Sequence, residues 1–369
     1  MFRRLRRSWQ DRQARQNPDV ATRMNAFFDS LPQAERASAR DVALRYGRTL
    51  YDGYEHLLNR KDAATSPYYV GLSSEMTSFT HVTKRVALVA DTVLLSDHGI
   101  GAVHELGERS ESGSTGVLDG DHYVVTSTWR YGMVTGDLDE LGRWLLNAEP
   151  LLRSGLVWYG PVYREGSRAN MTEYAGVRSA GPLPAFSDRS IDFVVEHGRA
   201  VDLATAKPLA SRVVRPVLEV DLPFIDGLSL HDFARVTTEE FDSYTRFRDF
   251  MRARLLELDG ALEAVDSQVA LERVALSIRD ELDAATAALS GAARTRVLSR
   301  SGAVLGTTSA VLAAVRPEAL EGALAVGATL AAGATGLWPT VQAFAEVKPR
   351  RAQGKWHYVW VLQKKGASR

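Results

Sequence analysis

Cysteine is missing altogether from the 369 residues. Disulfides, thiolate zinc centres, iron–sulfur clusters and cysteine nucleophiles are excluded on that ground. An excess of either charge is missing too: 45 basic residues stand against 45 acidic ones, so no global field draws the chain to nucleic acid or anionic lipid. Lysine is scarce, at seven of the basic residues; the arginine bias reflects a GC-rich bacterial genome more than any chemistry. No Walker A sequence and no Gly-x-Ser-x-Gly occurs, which removes the P-loop and nucleophile-elbow enzymes. No apolar run follows the basic N-terminus as a secretory signal would require. The expected compartment is therefore the cytoplasm, with peripheral contact at the inner membrane as an added expectation from the two features below.

The first feature is a basic arm, residues 1–20, whose first sixteen residues carry Arg3, Arg4, Arg6, Arg7, Arg12 and Arg15 against Asp11 alone. Phe2, Leu5 and Trp9 fall on one side of a helix there, the pattern of a weak, salt-sensitive attachment to an acidic surface. Residues 21–220 read as a mixed α/β domain and 221–369 as a helical one, an α+β fold overall. Helices are expected on either side of Pro32, the second started by Ser38 with Asp41. VALVADTVLLSD (86–97), HYVVTSTWRYGMV (122–134) and Leu156 to Tyr159 have the composition of strands, and Asp137 to Glu149 that of a helix closed by Pro150. The polar stretches 107–121 and 164–188 are expected as loops. Beyond Pro223, Thr237 with Glu240 reads as a capping box. Phe241, Tyr244, Phe247, Met251, Leu255 and Leu258 then trace an inward face, with Arg246, Asp249 and Arg252 outward. Asp259-Gly260 is expected to kink or end that helix, a further helix to cover about 261–289, and WHYVWVLQKK (356–365) to form a strand.

The second feature is an apolar hairpin at 302–345. Gly302, Gly306, Ala310 and Ala314 recur every four residues before Arg316-Pro317-Glu318, and Ala319, Ala323, Gly327, Ala331 and Thr335 after it. Residues four apart share a helix face, so two stripes of small side chains predict an antiparallel pair with closely approaching backbones. Gly322 to Ala345 carries no charge over 24 residues; as a helix it would reach about 36 Å, enough for a bilayer core of roughly 30 Å. Its eight alanines and four glycines are too weakly apolar for a permanent anchor, and Gly302 to Val315 is too short to span. A buried soluble hairpin, or one that enters a membrane only when triggered, fits better.

Other motifs fall short of a chemistry. Gly99-x-Gly101-x-x-His104 has His where a dinucleotide fingerprint needs Gly or Ala, and reads as an ordinary strand-to-helix turn. His98, His104, Glu105, Asp119, Asp121 and His122 match no metal-ligand spacing and read as polar loop; no metal and no cofactor is expected. Trp129, Tyr131, Trp144, Trp158, Tyr159 and Tyr163 could stack on bases, yet aromatic residues in such segments belong to a core, so nucleic acid is not an expected partner. ALVADTVLL resembles the opening strand of a PIN-type nuclease, whose strand-ending acid helps hold Mg²⁺; that acid would be Asp91. Val93 departs from the pattern, and the further carboxylates that two-metal phosphodiester chemistry needs do not follow.

LPFIDGLSLHDFARVTTEEFDSYTRFRDFMRARL, the Ala/Gly-rich hairpin and KWHYVWVLQKK together resemble a group of uncharacterised bacterial proteins. The matching residues are Leu222, Pro223, Gly227, Leu228, Ser229, Phe247, Arg248 and Phe250. The resemblance covers the C-terminal part alone and brings no activity with it. The function expected is that of a non-enzymatic bacterial interaction protein. It would oligomerise, bind another protein or meet a membrane surface through 302–345. The alternative is a metal-dependent nuclease using Asp91.

Overall fold

The computed structural model describes residues 16–118, 121–170, 175–176, 190–219, 222–263 and 354–366. The hairpin 302–345, arm residues 1–15 and, beyond Glu263, the helix expected over about 261–289 lie outside the described residues.

The chain opens with α1 (Pro18–Ser30), where Asn17 Oδ1 accepts the Val20 N–H and Pro18 takes the first helical position. After α2 (Gln33–Arg36), α3 (Ala39–Tyr51) starts at Ser38, whose hydroxyl accepts the Asp41 N–H as the sequence predicts. Then come α4 (Tyr54–Asp62), β1 (Tyr69–Ser74), a short 3-10 turn, α5 (Phe79–Val86) and β2 (Thr92–Ser96). A long hairpin follows, β3 (Ala102–Leu118) and β4 (Asp121–Thr135), before α6 (Leu138–Asn147), α7 (Glu149–Ser154), β5 (Val157–Tyr159), β6 (Val162–Asn170) and β7 (Ala175–Gly176). Strands β8 (Phe193–Glu196) and β9 (Arg199–Asp202) precede helices α8 (Pro208–Glu219), α9 (Pro223–Asp226), α10 (Leu230–Glu239), α11 (Phe241–Glu263) and α12 (Lys355–Gly366).

These elements form two sheets, and the fold is α+β. One sheet has the order β5-β2-β1-β8-β9, parallel except for β9; the other, β3-β4-β6-β7, is antiparallel. Strands β2 and β5 are buried throughout, as parallel strands covered on both faces must be. The chain adds strands outward from β1 through β2 to β5, then returns to place β8 on the other side of β1. A single hydrophobic core runs from Val20 to Leu362 and takes in the helices after Pro223.

Several sequence expectations are corrected. Residues 107–118, expected as loop, belong to β3, and 164–170, also expected as loop, to β6; the hairpin ladder tolerates irregularities at Glu105/Gly107 and Ser112/Ser114. Within 86–97 only Thr92–Ser96 is strand. Pro150 opens α7 instead of merely closing α6. Thr237 lies inside α10, which is capped by the Ser229 hydroxyl accepting the Asp232 N–H, and so does not cap α11. Asp259-Gly260 continues α11 to Glu263.

Residues 356–365 form part of a helix. The aromatic and β-branched run suggests a strand, yet Tyr358, Val359 and Leu362 lie one turn apart and all three are buried against α9, α10 and α11. Tyr358 OH sits 2.8 Å from Thr237 Oγ1, and its ring meets Tyr244 edge-on at 5.5 Å. Tyr358→Phe keeps the ring and removes one buried hydrogen bond. Because Thr237 still donates to the Phe233 carbonyl, the loss should be about 1 kcal/mol, read as a small fall in the urea midpoint with unchanged slope.

Candidate functional site

The carboxyl ends of the parallel strands gather polar side chains from distant parts of the sequence. Ser73 and Ser74 end β1, Ser96 ends β2 with Asp97 and His98 just beyond it, Thr135 ends β4, and Tyr159 ends β5. In open sheets with parallel strands this is the edge at which ligands bind, close to where strand order reverses. Here the reversal lies between β1 and β8.

Asp97 is the centre of the group. Its Oδ1 accepts the Gly99 N–H at 3.0 Å, and its carbonyl oxygen lies 3.2 Å from Ser96 Oγ and 3.3 Å from Ser73 Oγ. Ser73 Oγ is also 2.9 Å from His98 Nδ1. The loop that follows carries Gly99 at φ +64° and Gly101 at φ +152°, both conformations that side chains resist. A Cβ at Gly101 would fall 2.2 Å from the Thr135 carbonyl oxygen, so this loop is pressed against the end of β4. Between the two glycines Ile100 stands 77% exposed.

Burial pushes the Asp97 carboxyl up, and the Gly99 N–H, the Thr135 and Tyr159 hydroxyls and His98 only partly oppose it. Burial likewise pushes the Tyr159 phenol up, with Asp97 adding to the rise. The two groups lie against each other, yet neither Asp97 Oδ2 nor Tyr159 OH completes a hydrogen bond of good geometry. A buried polar atom left in that state costs about 1–3 kcal/mol. Folded proteins keep few of them, and those kept call for a reason.

Asp91 occupies the opposite end of β2, preceding the strand instead of ending it. Its Oδ1 lies 2.8 Å from Arg252 Nη2 and 3.2 Å from Arg248 Nη2, and its Oδ2 accepts the Ser66 hydroxyl at 2.6 Å. Arg252, expected to face water, instead lies over the Tyr68 ring at 3.9 Å and donates to the Val89 carbonyl. Burial alone would raise the Asp91 carboxyl, but Arg252, Ser66 and Arg248 outweigh it and hold the group below the usual range. Asp91→Asn leaves two guanidinium groups facing a neutral amide and should cost about 3 kcal/mol at neutral pH. The sign of its pH dependence follows from the lowered value. The wild type holds this contribution above the ordinary carboxylate pKa of about 3.9 and loses it as pH falls through the lower native one. The variant should therefore show a shallower loss of stability below about pH 4, read from urea midpoints across an acid series.

The remaining candidates separate. His104 pairs with Met133 and Glu105 with Gly132, whereas His122 pairs with Val117 and Asp121 with Leu118, at the far end of the same ladder. Asp119 lies outside the described residues. No group of three or more such side chains is placed to hold a metal among the described residues. Trp144, Trp158, Tyr159 and Tyr163 are buried core, and Tyr131 stacks on Tyr51 at 3.8 Å. Gly99 and Gly101 turn the chain from strand to strand, where a strand-to-helix turn is expected from the sequence. Sequence reasoning misses Ser73, Asp97, Thr135 and the hydroxyl role of Tyr159. Its one available signal is the Asp that closes TVLLSD. Compared with known protein families, curated proteins and solved structures, the chain matches none.

Proposed function

We propose that the protein is a non-enzymatic interaction protein that self-associates, or meets a membrane when triggered, through residues 302–345. The observation that carries this reading is the anchoring of the helices on either side. Before the segment, α11 buries Tyr244, Phe247, Met251 and Leu255; after it, α12 buries Tyr358, Val359 and Leu362 in the same core. The small-residue stripes therefore lie in a stretch of sequence bounded at both ends by helices anchored in the core. No described helix is itself long and apolar enough to cross a membrane. The nuclease alternative needs the Asp91 carboxylate for a metal ion, and two arginines and a serine already engage it.

The test uses the full chain. Light scattering over a range of concentrations, with flotation on phosphatidylglycerol vesicles at neutral and acidic pH, should reveal an oligomer or a vesicle-bound fraction. Gly306→Leu and Gly327→Leu should abolish it, since Leu cannot fit between closely packed helices, while Ala325→Leu, off the stripe, should not. A protein that stays monomeric and never floats, or that tolerates Leu equally at all three positions, would remove the proposal.

A further inference from the structure

We infer that the polar cluster at the carboxyl ends of β1, β2 and β5 is a binding site for the ammonium head of a small aliphatic amine. No residue of 302–345 takes part in this site. Three acids are buried among the described residues: Asp97, Asp192 and Asp259. Asp192 has Lys61 at 2.9 Å and Asp259 has Arg212 at 2.9 Å. Asp97, only 7% exposed, has no lysine or arginine against it among the described residues, only its chain neighbour His98. The fold supplies a cation to the other two buried acids and withholds it at the edge where ligands enter an open sheet.

The geometry agrees with a cationic donor. Asp97 Oδ2 and Tyr159 OH are unmatched, and both can accept a hydrogen bond. An ammonium group brings three donors and no acceptor. An anion would meet a carboxylate with no arginine or lysine to offset it. A hard metal ion prefers six or more oxygens, and the described residues hold no group of acids and histidines placed to supply them. Exposed Ile100, on the loop beside the cluster, offers apolar surface to the aliphatic part of the ligand.

The probes are n-butylamine and 1,4-diaminobutane, with 1-butanol and butyrate matched to them in size, titrated calorimetrically into the full-length protein at fixed ionic strength. Both amines should bind and raise the melting temperature, while butanol and butyrate at the same concentrations should do neither. Asp97→Asn keeps the shape and removes the charge, and should weaken amine binding at least tenfold. Tyr159→Phe removes one acceptor, should weaken it severalfold, and serves as the test if Asp97→Asn fails to fold. The inference is overturned if neither amine binds the wild type, if butanol or butyrate binds as tightly, or if the folded variants bind amines as well as the wild type does.

Discussion

Lys61→Met should lower the urea midpoint more than any surface substitution, at a cost of about 3–5 kcal/mol. Lys61 lies on α4 and Asp192 just before β8; their charged atoms are 2.9 Å apart with side chains 2% and 3% exposed. Asp192 Oδ2 also accepts the Gly71 N–H of β1 at 2.7 Å, so the pair ties a helix to the junction of two strands. Burial pushes the Asp192 carboxyl up, and Lys61 leads the groups that oppose the rise. Methionine fills similar space but leaves the carboxylate without its counter-charge. Lys207 also acts on Asp192, but its Nζ donates to the Ser66 carbonyl at 2.9 Å and is not free to replace Lys61. A carboxyl raised in the fold favours its protonated form, so the stability tied to that proton is kept at low pH and lost as pH rises through the raised native value. The damage in Lys61→Met should consequently grow from acid to neutral pH. Adding Asp192→Leu removes the stranded charge and should recover much of the loss, because a buried pair replaced by apolar groups is often nearly neutral. A single variant within about 0.5 kcal/mol of the wild type, as exposed positions usually are, would show that the pair is not buried.

The two ends of the larger sheet are treated differently, and that contrast supports the inference about Asp97. At the amino ends, Asp91 before β2 and Asp192 before β8 are closed by Arg248, Arg252 and Lys61, delivered by α11 and α4. At the carboxyl ends, the Thr135 and Tyr159 hydroxyls lie against the Asp97 carboxyl and no helix delivers a cation to it among the described residues. Closing one end with ion pairs fixes the strands and helices in place, which leaves the other end's polar groups positioned but not consumed.

How much of this the sequence reveals depends on how local the cause is. The start of α3 at Ser38 and the helix α6 follow from residues close in sequence, and both are legible. Strand β3 is not: ERSESGSTG alternates nothing, and its ladder depends on pairing with β4, a long-range match. The helix α12 hides behind its composition, since tryptophan, tyrosine and valine favour strands until a three-helix face binds them. Asp91 attracts notice as the acid within an apolar run, but the strand begins after it. The acid that ends the strand is Asp97, six residues on. Its neighbours Ser73, Thr135 and Tyr159 come from three other strands, and only the tertiary order of those strands brings them together.

Phe247→Ala should cost about 3–5 kcal/mol, and its structural effect should be concentrated at the C-terminal end of the described fold. Phe247 is fully buried on α11. Its ring meets Phe224 of α9 edge-on at 6.0 Å and Tyr358 of α12 at 5.8 Å, so one side chain joins three helices. Alanine leaves a cavity that those rings can fill only by shifting, and each shift loosens another contact. Tyr358 is also bonded to Thr237, which limits how far α12 can move to close the gap. Arg246, next to it but exposed, should tolerate alanine within about 0.5 kcal/mol. Hydrogen exchange would separate a local from a general weakening. The amides of α12 should lose more protection than those of α1, whose core of Met24, Phe27 and Phe28 lies elsewhere. Because α12 is the return anchor for residues 264–353, a loosened α12 should also weaken whatever self-association or vesicle binding the wild type shows. An unchanged midpoint would mean the face is not core. A lost midpoint with α1 and α12 equally deprotected would mean the ring stabilises the whole fold without holding the C-terminal helix in particular.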